Sequence, residues 1–455
     1  MRILADTATL AHVEPGTSGS ERAGFTLGAR HCIVLVFVAL SLLLGVRTYG
    51  VATKSQHSVD IESIAIARDL TRGVRPADGV QTYERMPGFA LLLLAFSSID
   101  GGVALGLSCG ADGRPACTSR LFHSMIALQY AGSVGIIIIT AMLAWRLSRH
   151  HGVVLIILVL TAFTARLADW SGLVRPQIWY HLLLASYLLL GLCAYQRRSV
   201  MLAAAAGLTL GISCLFEPLT IVLVPVAAAL VAREPAYSSI GKYSLWRSLG
   251  LVGGACAGVA LAFVAVALSY DGSAVDRYIA RHIAERTAFN GMGNGTWLAS
   301  LVFPMPLVGD WLGAVMPDLS VALGIPHRPG SIVLDGSTAI LQDAMGHERS
   351  LGAAHWIINE KIVTAPGAYA WATPAILLRG VLGGGGLIAL VGLLHVPRMI
   401  TYARVENRLG DLLVVLVPIV ALFAVNTALT ANGPWLNPML VFVYVYSIAY
   451  VARGW

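Results

Sequence analysis

The sequence predicts an all-α polytopic membrane protein with about ten transmembrane helices and juxtamembrane helices in its first outer loop. Three observations predict it. Of 455 residues, 57% are hydrophobic and 12% are charged, where a soluble globular protein carries about 25% charge. Mean hydropathy is +0.74. Apolar stretches of about 20 residues, the length that crosses a bilayer's hydrocarbon core, recur along the chain. There is too little charge to cover a water-facing surface of this size, which excludes a soluble enzyme and a disordered or fibrous chain. Six cysteines without zinc-ligand spacing make no disulfide scaffold. No basic run with interleaved aromatics appears, so nucleic acid is not expected as a partner, and the net charge of +7 reads as a membrane-topology signal.

Residues 1–30 form a mixed, polar N-terminal tail. Residues 31–49 are the first span, and no small-residue cleavage site follows them, which reads as an uncleaved signal-anchor. Further spans are expected at 121–145, 152–168, 178–195, 248–269, 374–395, 410–429 and 434–451. The stretch 200–232 is apolar except for Glu217, which Pro218 follows. A charge and a proline in mid-stretch read as a tight hairpin between two spans, 200–215 and 218–232. The domain organisation follows: a transmembrane catalytic module over 31–269 with an outer loop at 51–120, a large extracytoplasmic loop at 270–373, and C-terminal transmembrane helices over 374–455.

Residues 87–98 (PGFALLLLAFSS) are apolar but only 12 long, which suits a re-entrant or interfacial helix better than a span. Residues 301–316 are apolar but broken by Pro304, Pro306 and Asp310, and also read as interfacial. The charges decide the first case. If 87–98 does not span, 14 basic residues and six acids fall on the side of the N-terminal tail, a balance of +8 against −1 on the other side. The positive-inside rule wants this arrangement. It places the protein in the cytoplasmic (inner) membrane with both termini cytoplasmic and the loops 51–120 and 270–373 outside.

The first outer loop carries the candidate chemistry. In 60–73 (DIESIAIARDLTRG), Asp60 suits a helix N-cap, Ile61, Ile64, Ala65, Ala67 and Leu70 give an apolar face, and Gly73 ends the helix. Glu62 stands on the polar face. The plain reading of Asp60 is a cap on a surface helix. Tyr83 and Arg85 precede Pro87 and the apolar helix. Arg85 reads either as an interfacial arginine snorkelling to lipid phosphate or as a fixed cation for a substrate phosphate. Asp169 lies in the turn after span 152–168, either as a second acid at the outer surface or as a structural partner of Arg166 or Arg175. Cys109 and Cys117, eight apart in an outer loop, permit a disulfide in an oxidising compartment; the other four cysteines read as small hydrophobes. Gly383–Gly386 lack the lysine of a phosphate loop and read as a close-packing helix face. No Walker, dinucleotide or HExxH motif occurs.

Four stretches carry a resemblance to the membrane-embedded GT-C glycosyltransferases that use polyprenyl-phosphate sugars, in particular bacterial aminoarabinose- and mannosyl-transferases. They are DIESIAIARDLTRG, opened by Asp60; YERMPGFALLLLAF, with Arg85; the Gly-rich hairpin GLTLGISCLFEPLTIVLVPVAAAL; and WIINEKIVTAPGAYAWATPAILLRG before the last spans. Departures are Ile64 where an aromatic is common, Glu217 in place of a basic residue, and Gly433-Pro434-Trp435-Leu436-Asn437-Pro438 in place of Arg-Tyr-x-x-Pro.

The resemblance implies a GT-C-like fold and an inverting transfer of a sugar from a polyprenyl-phosphate donor to a glycan, glycolipid or protein acceptor outside the membrane. It implies Asp60 as the general base, with Asp169 as a second catalytic acid. Glu62, Tyr83, Arg85, Arg175 and Glu217 are the substrate-binding candidates. Some members of the family use a divalent metal on paired acids. Asp60 and Glu62 are two apart and do not share a helix face, so no metal or other cofactor is expected. The rival reading is a transporter or flippase of lipid-linked saccharide. Transporters show internal repeats and midplane charges; here the halves show no convincing repeat, and the acids gather at one surface. A structural membrane subunit, or a member of the fold that has lost activity, is a third reading.

The charge split has a direct test. Reporter fusions at 149, 242 and 404 should read cytoplasmic and fusions at 80, 112 and 330 external; an external signal at 149 would make 87–98 a span.

Overall fold

A computed structural model describes residues 61–71, 86–99, 119–162, 167, 174–233, 241–269, 331–335, 338–342, 348–352, 387–429 and 437–452. The elements in chain order are α1 (Ile61–Thr71), α2 (Gly88–Ile99), α3 (Ser119–Ser148), α4 (His151–Ala162), α5 (Gln177–Arg197), α6 (Val200–Ser213), a short 3₁₀ helix (Pro218–Val222), α7 (Leu223–Ala232) and α8 (Gly241–Ser269). Three strands follow, β1 (Ser331–Asp335), β2 (Thr338–Gln342) and β3 (Glu348–Gly352), then α9 (Leu387–Val405), α10 (Leu409–Leu429) and α11 (Asn437–Ala452).

Helices dominate because lipid offers no partner for backbone N–H and C=O groups, so each span must satisfy its own. Among the described residues, three helices are long and apolar enough to cross a membrane: Ser124–Ser148, Gln177–Arg197 and Leu245–Ala265. The 21 residues of α5 rise about 31 Å, close to the hydrocarbon thickness. The other apolar helices are shorter. Of the expected span 374–395, residues 374–386 lie outside the described residues, and 387–395 are the first half of α9, which runs on through Pro397 to Val405. The first expected span, 31–49, the stretch 301–316 and the glycines 383–386 lie outside the described residues.

The all-α expectation needs one amendment. β1, β2 and β3 form an antiparallel three-stranded sheet in that order, with Asp335 opposite Thr338 and Gln342 opposite Glu348. Two residues, Gly336 and Ser337 in the sequence, separate β1 from β2.

α5 packs against α3, α6 and α10. The hairpin expected at Glu217-Pro218 is present. Ser199 Oγ caps α6 by accepting the Leu202 amide at 3.3 Å. At the far end, the amides of Cys214, Leu215, Phe216 and Glu217 all find carbonyls one turn back. Glu217 is extended (φ −146°), and Pro218 opens the 3₁₀ turn at the position where its missing N–H costs nothing.

α8 lies along α6. Gly207 and Gly211 face Gly254 and Gly258 across this contact: a Cβ on Gly207 would overlap the carbonyl oxygen of Leu251, and one on Gly254 that of Ala204. Small residues four apart let two backbones touch, which is how helices associate when lipid removes the hydrophobic drive. The opposite side of α8 presents Trp246, Leu261 and Phe263, all exposed.

The two ends of the bundle differ. At one end the α4, α6, α8 and α10 starts meet the α3, α5, α7 and α9 ends. There Gln196 Nε2 donates to Asp411 Oδ2 at 3.1 Å, Arg408 Nη1 donates to the Leu147 carbonyl at 2.8 Å, and Tyr450 Oη donates to Glu406 Oε2 at 2.5 Å. The turns carrying Arg146, Arg149, Arg197, Arg233 and Arg404 thus share one end, the arrangement on which the charge-based topology rests. α1 and α2 belong to the opposite end. The 12 residues of α2 rise only about 18 Å, too little to span.

Gly207→Val or Gly254→Val should push α6 and α8 apart and lower stability by about 1–3 kcal/mol, read as a lower thermal midpoint in detergent. Gly253→Ala is the control, since nothing lies within 4 Å of a Cβ there.

Candidate functional site

At the end opposite the arginine-bearing turns, five pieces of chain meet. α1 buries Ile64, Ile66 and Ala67, and α2 buries Phe89, Ala90 and Leu93, in one apolar cluster with Met125 and Leu128 of α3 and with Val174. Leu215 and Phe216 from the α6 hairpin turn pack on the same cluster. Pro87-Gly88 makes the joint. The Gly88 amide donates to the Leu215 carbonyl at 3.1 Å, and a Cβ on Gly88 would come within 2.7 Å of that oxygen. Only glycine allows so close an approach. The outer-loop helices are therefore seated on the hairpin turn that ends in Glu217.

A buried polar set lies beside this joint. Glu217 is 5% exposed and His181 and Thr220 are fully buried. Thr220 Oγ1 donates to the Glu217 carbonyl at 2.6 Å and lies 3.5 Å from Tyr180 Oη, from which it can accept, linking the hairpin turn to the first turn of α5. His181 Nδ1 lies 2.7 Å from the Gln177 carbonyl, and its ring meets Tyr180 edge-on at 5.2 Å. On α3, Gln129 Nε2 donates to the Arg175 carbonyl at 2.8 Å, and Ser133 Oγ donates to the Gln129 carbonyl at 3.0 Å.

Among the described residues, three buried polar atoms here find no hydrogen-bond partner: Gln129 Oε1, Gln177 Oε1 and Trp179 Nε1. Buried polar groups are normally satisfied, and polar side chains at membrane depth mark sites more often than accidents. The first two are acceptors, on α3 and α5, and the third is a donor on α5.

The candidates read from sequence distribute as follows. Glu217 is buried in the hairpin turn, and Arg175 is exposed at the approach to α5 with its carbonyl held by Gln129. Glu62 stands in the first turn of α1. Asp60, Tyr83, Arg85, Asp169, Cys109 and Cys117 lie outside the described residues; the described segments nearest Asp60 and Arg85, α1 and the start of α2, are two that the apolar cluster joins. Gln129, Gln177, Tyr180, His181 and Thr220 escaped the sequence reading. Their signal was present: each is a polar or ring-bearing residue inside an apolar stretch. Among the described residues no three His, Cys, Asp or Glu side chains gather as a metal-holding group.

No family model and no curated protein matches this chain. Among solved structures it is similar to the oligosaccharyltransferase of Archaeoglobus fulgidus, solved with a tethered acceptor peptide, at 14% identity and a TM-score of 0.45. The match covers 94% of this chain and 50% of that one, so the chain spans about half the length of the enzyme it matches.

Gly88→Val should force the outer helices off the hairpin turn. Amide exchange in 61–71 and 88–99 should then rise, while 180–195 in α5 keeps its protection. Unchanged exchange in 61–71 would mean that the joint does not hold these helices.

Proposed function

We propose that the protein is a membrane glycosyltransferase of the GT-C kind. It moves a sugar from a polyprenyl-phosphate donor to an acceptor on the extracytoplasmic side, with inversion at the sugar carbon. The observation that supports this best is the seating of α1 and α2 on the hairpin turn whose Glu217 and Thr220 belong to a buried polar set with the start of α5. A long lipid donor is reached only from within the bilayer, while its phosphate and sugar sit at the surface. A site for it needs outer helices seated on membrane helices with polar groups between them.

In this reading the acceptor hydroxyl oxygen attacks the anomeric carbon and its proton passes to the Asp60 carboxylate. The bond from the anomeric carbon to the phosphate oxygen breaks, and polyprenyl phosphate leaves. Phosphate is already a good leaving group, so one base suffices. Arg85 holds the phosphate, as a cation before the short helix that enters the bilayer. Asp169 orients the acceptor or pairs with a cation. Glu62, Tyr83, Arg175 and Glu217 contact the substrates, and Gln129, Gln177 and His181 join them as candidates. The acceptor is a glycan, a glycolipid or a protein.

The test uses the full chain in nanodiscs supplied with a labelled polyprenyl-phosphate hexose and envelope glycolipids, reading release of polyprenyl phosphate. Asp60→Asn should lower turnover about 10²–10⁴-fold, or roughly 3–5 kcal/mol of barrier, with donor binding retained. Arg85→Ala should weaken donor binding, and Arg85→Lys should restore part of it, since a point charge serves phosphate. Loss on Asp169→Asn alone reassigns the base. Wild-type turnover in both Asn variants, with movement of the lipid-linked sugar across liposomes, would sink the transferase reading in favour of a flippase.

A further inference from the structure

The arginine-bearing end of the bundle holds a cavity of about 790 Å³, a volume within the usual range of small-ligand sites, about 300–1,000 Å³. Among the described residues, Arg146, Arg149, Arg197, Arg233 and Arg404 line it against one acid, Asp411. Five arginines and one aspartate leave four net positive charges on one concave wall. They come from the ends of α3, α5, α7 and α9 and the start of α10.

Topology alone explains arginines in short turns on one side of a membrane. It does not require them to share a hollow, where like charges raise one another's energy. Asp411 offers limited relief, because its Oδ2 already accepts the Gln196 amide. The backbone adds a second, independent observation. Among the described residues three non-glycine positions have positive φ: Arg149 (55°), Arg198 (54°) and Asn407 (56°). All three belong to the turns at this end, and Arg149 and Asn407 line the cavity. Glycine is the usual residue for such a turn, and a longer side chain is disfavoured there. At Arg149 the sequence instead keeps a guanidinium on the cavity wall.

We propose that this cavity is a binding site for a phosphate-bearing anion, distinct from the candidate transferase site. Guanidinium forks suit phosphate oxygens in pairs, and several forks around one hollow suit a group with more than one anionic oxygen. The two sites lie at opposite ends of α5, about 30 Å apart along its axis. On the charge-based topology this end faces the cytoplasm. Phosphate chemistry there has two sources, the headgroups of anionic phospholipid and soluble phosphorylated compounds. Occupancy neutralises the wall and adds a shared partner for the turns that line it.

The experiment measures the thermal midpoint of the full chain in phosphatidylcholine nanodiscs. One arm adds inorganic pyrophosphate; the other replaces part of the lipid with phosphatidylglycerol. At least one addition should raise the wild-type midpoint saturably, and the arm that responds identifies the source. Arg233→Gln and Arg404→Gln, both at exposed positions, should each raise the apparent Kd at least about tenfold. Arg149→Gly removes a charge while suiting the positive φ; its ligand-free midpoint should match or exceed wild type while its response to ligand falls. Arg398→Gln, exposed but off the cavity wall, should respond as wild type does. No shift in either arm would overturn the proposal. So would equal shifts in wild type and the three cavity variants, which is what general stabilisation by a strongly hydrated anion gives.

Discussion

The hydrogen bond from the Gly88 amide to the Leu215 carbonyl is the constraint on which the outer end depends. It joins the start of α2 to the turn between α6 and α7. Both partners are backbone groups, and the approach is close enough that any side chain at 88 would block it. Given that joint, the apolar face of α1 has a place to go: it covers α2 and the start of α3. The buried polar groups of the Glu217 turn and of the first turns of α5 lie next to that joint in the chain. A site that must exclude water while its substrate arrives from lipid is built from this kind of layering.

Much of this was legible in the chain, for physical reasons. Glu217-Pro218 in an apolar run forces a turn, since neither the charge nor the proline suits an uninterrupted span. The shortness of 87–98 is a length argument, and length is the one quantity a bilayer enforces. The sidedness of the arginines is read from turns alone, and the structure gathers those turns at one end. What was not legible depends on tertiary contact. Gln129, Gln177 and His181 are single polar residues in apolar helices, and nothing in the local pattern says that they share a level. The pairing of β1 with β2 was missed differently. SIVLD and TAILQ are short apolar runs around a glycine-first pair, a strand signal overlooked among membrane-helix signals. Asp60 and Arg85 rest on motif resemblance, which names a role and fixes no distance.

The two ends of the bundle follow different electrostatic rules. At the outer end, polar groups are few and buried, with Glu217 the charge enclosed in the hairpin turn. Such a place discriminates by hydrogen-bond geometry, because each misplaced donor or acceptor is costly in a poorly solvated site. At the other end, charge is plentiful and half-exposed, spread over turns that differ in backbone conformation. Such a place attracts by field and adapts by side-chain motion. One chain of 455 residues thus presents a buried polar set and a basic basin, separated by little more than the length of α5.

The glycine contact between α6 and α8 bears on how a hydrocarbon tail can travel. The backbones there already touch, so an alkyl chain, several ångströms thick, has no passage between them. That side of the bundle is a closed seam against the surrounding lipid, with Trp246 and Phe263 on its outward surface. The two helices behave as one mechanical plate. A tail that reaches the buried polar set travels around another edge of the bundle, and α7, tied to α6 by the Glu217 turn, borders the plate as its hinge-side neighbour. Sealing one wall in this way gives the molecule a front and a back within the plane of the membrane.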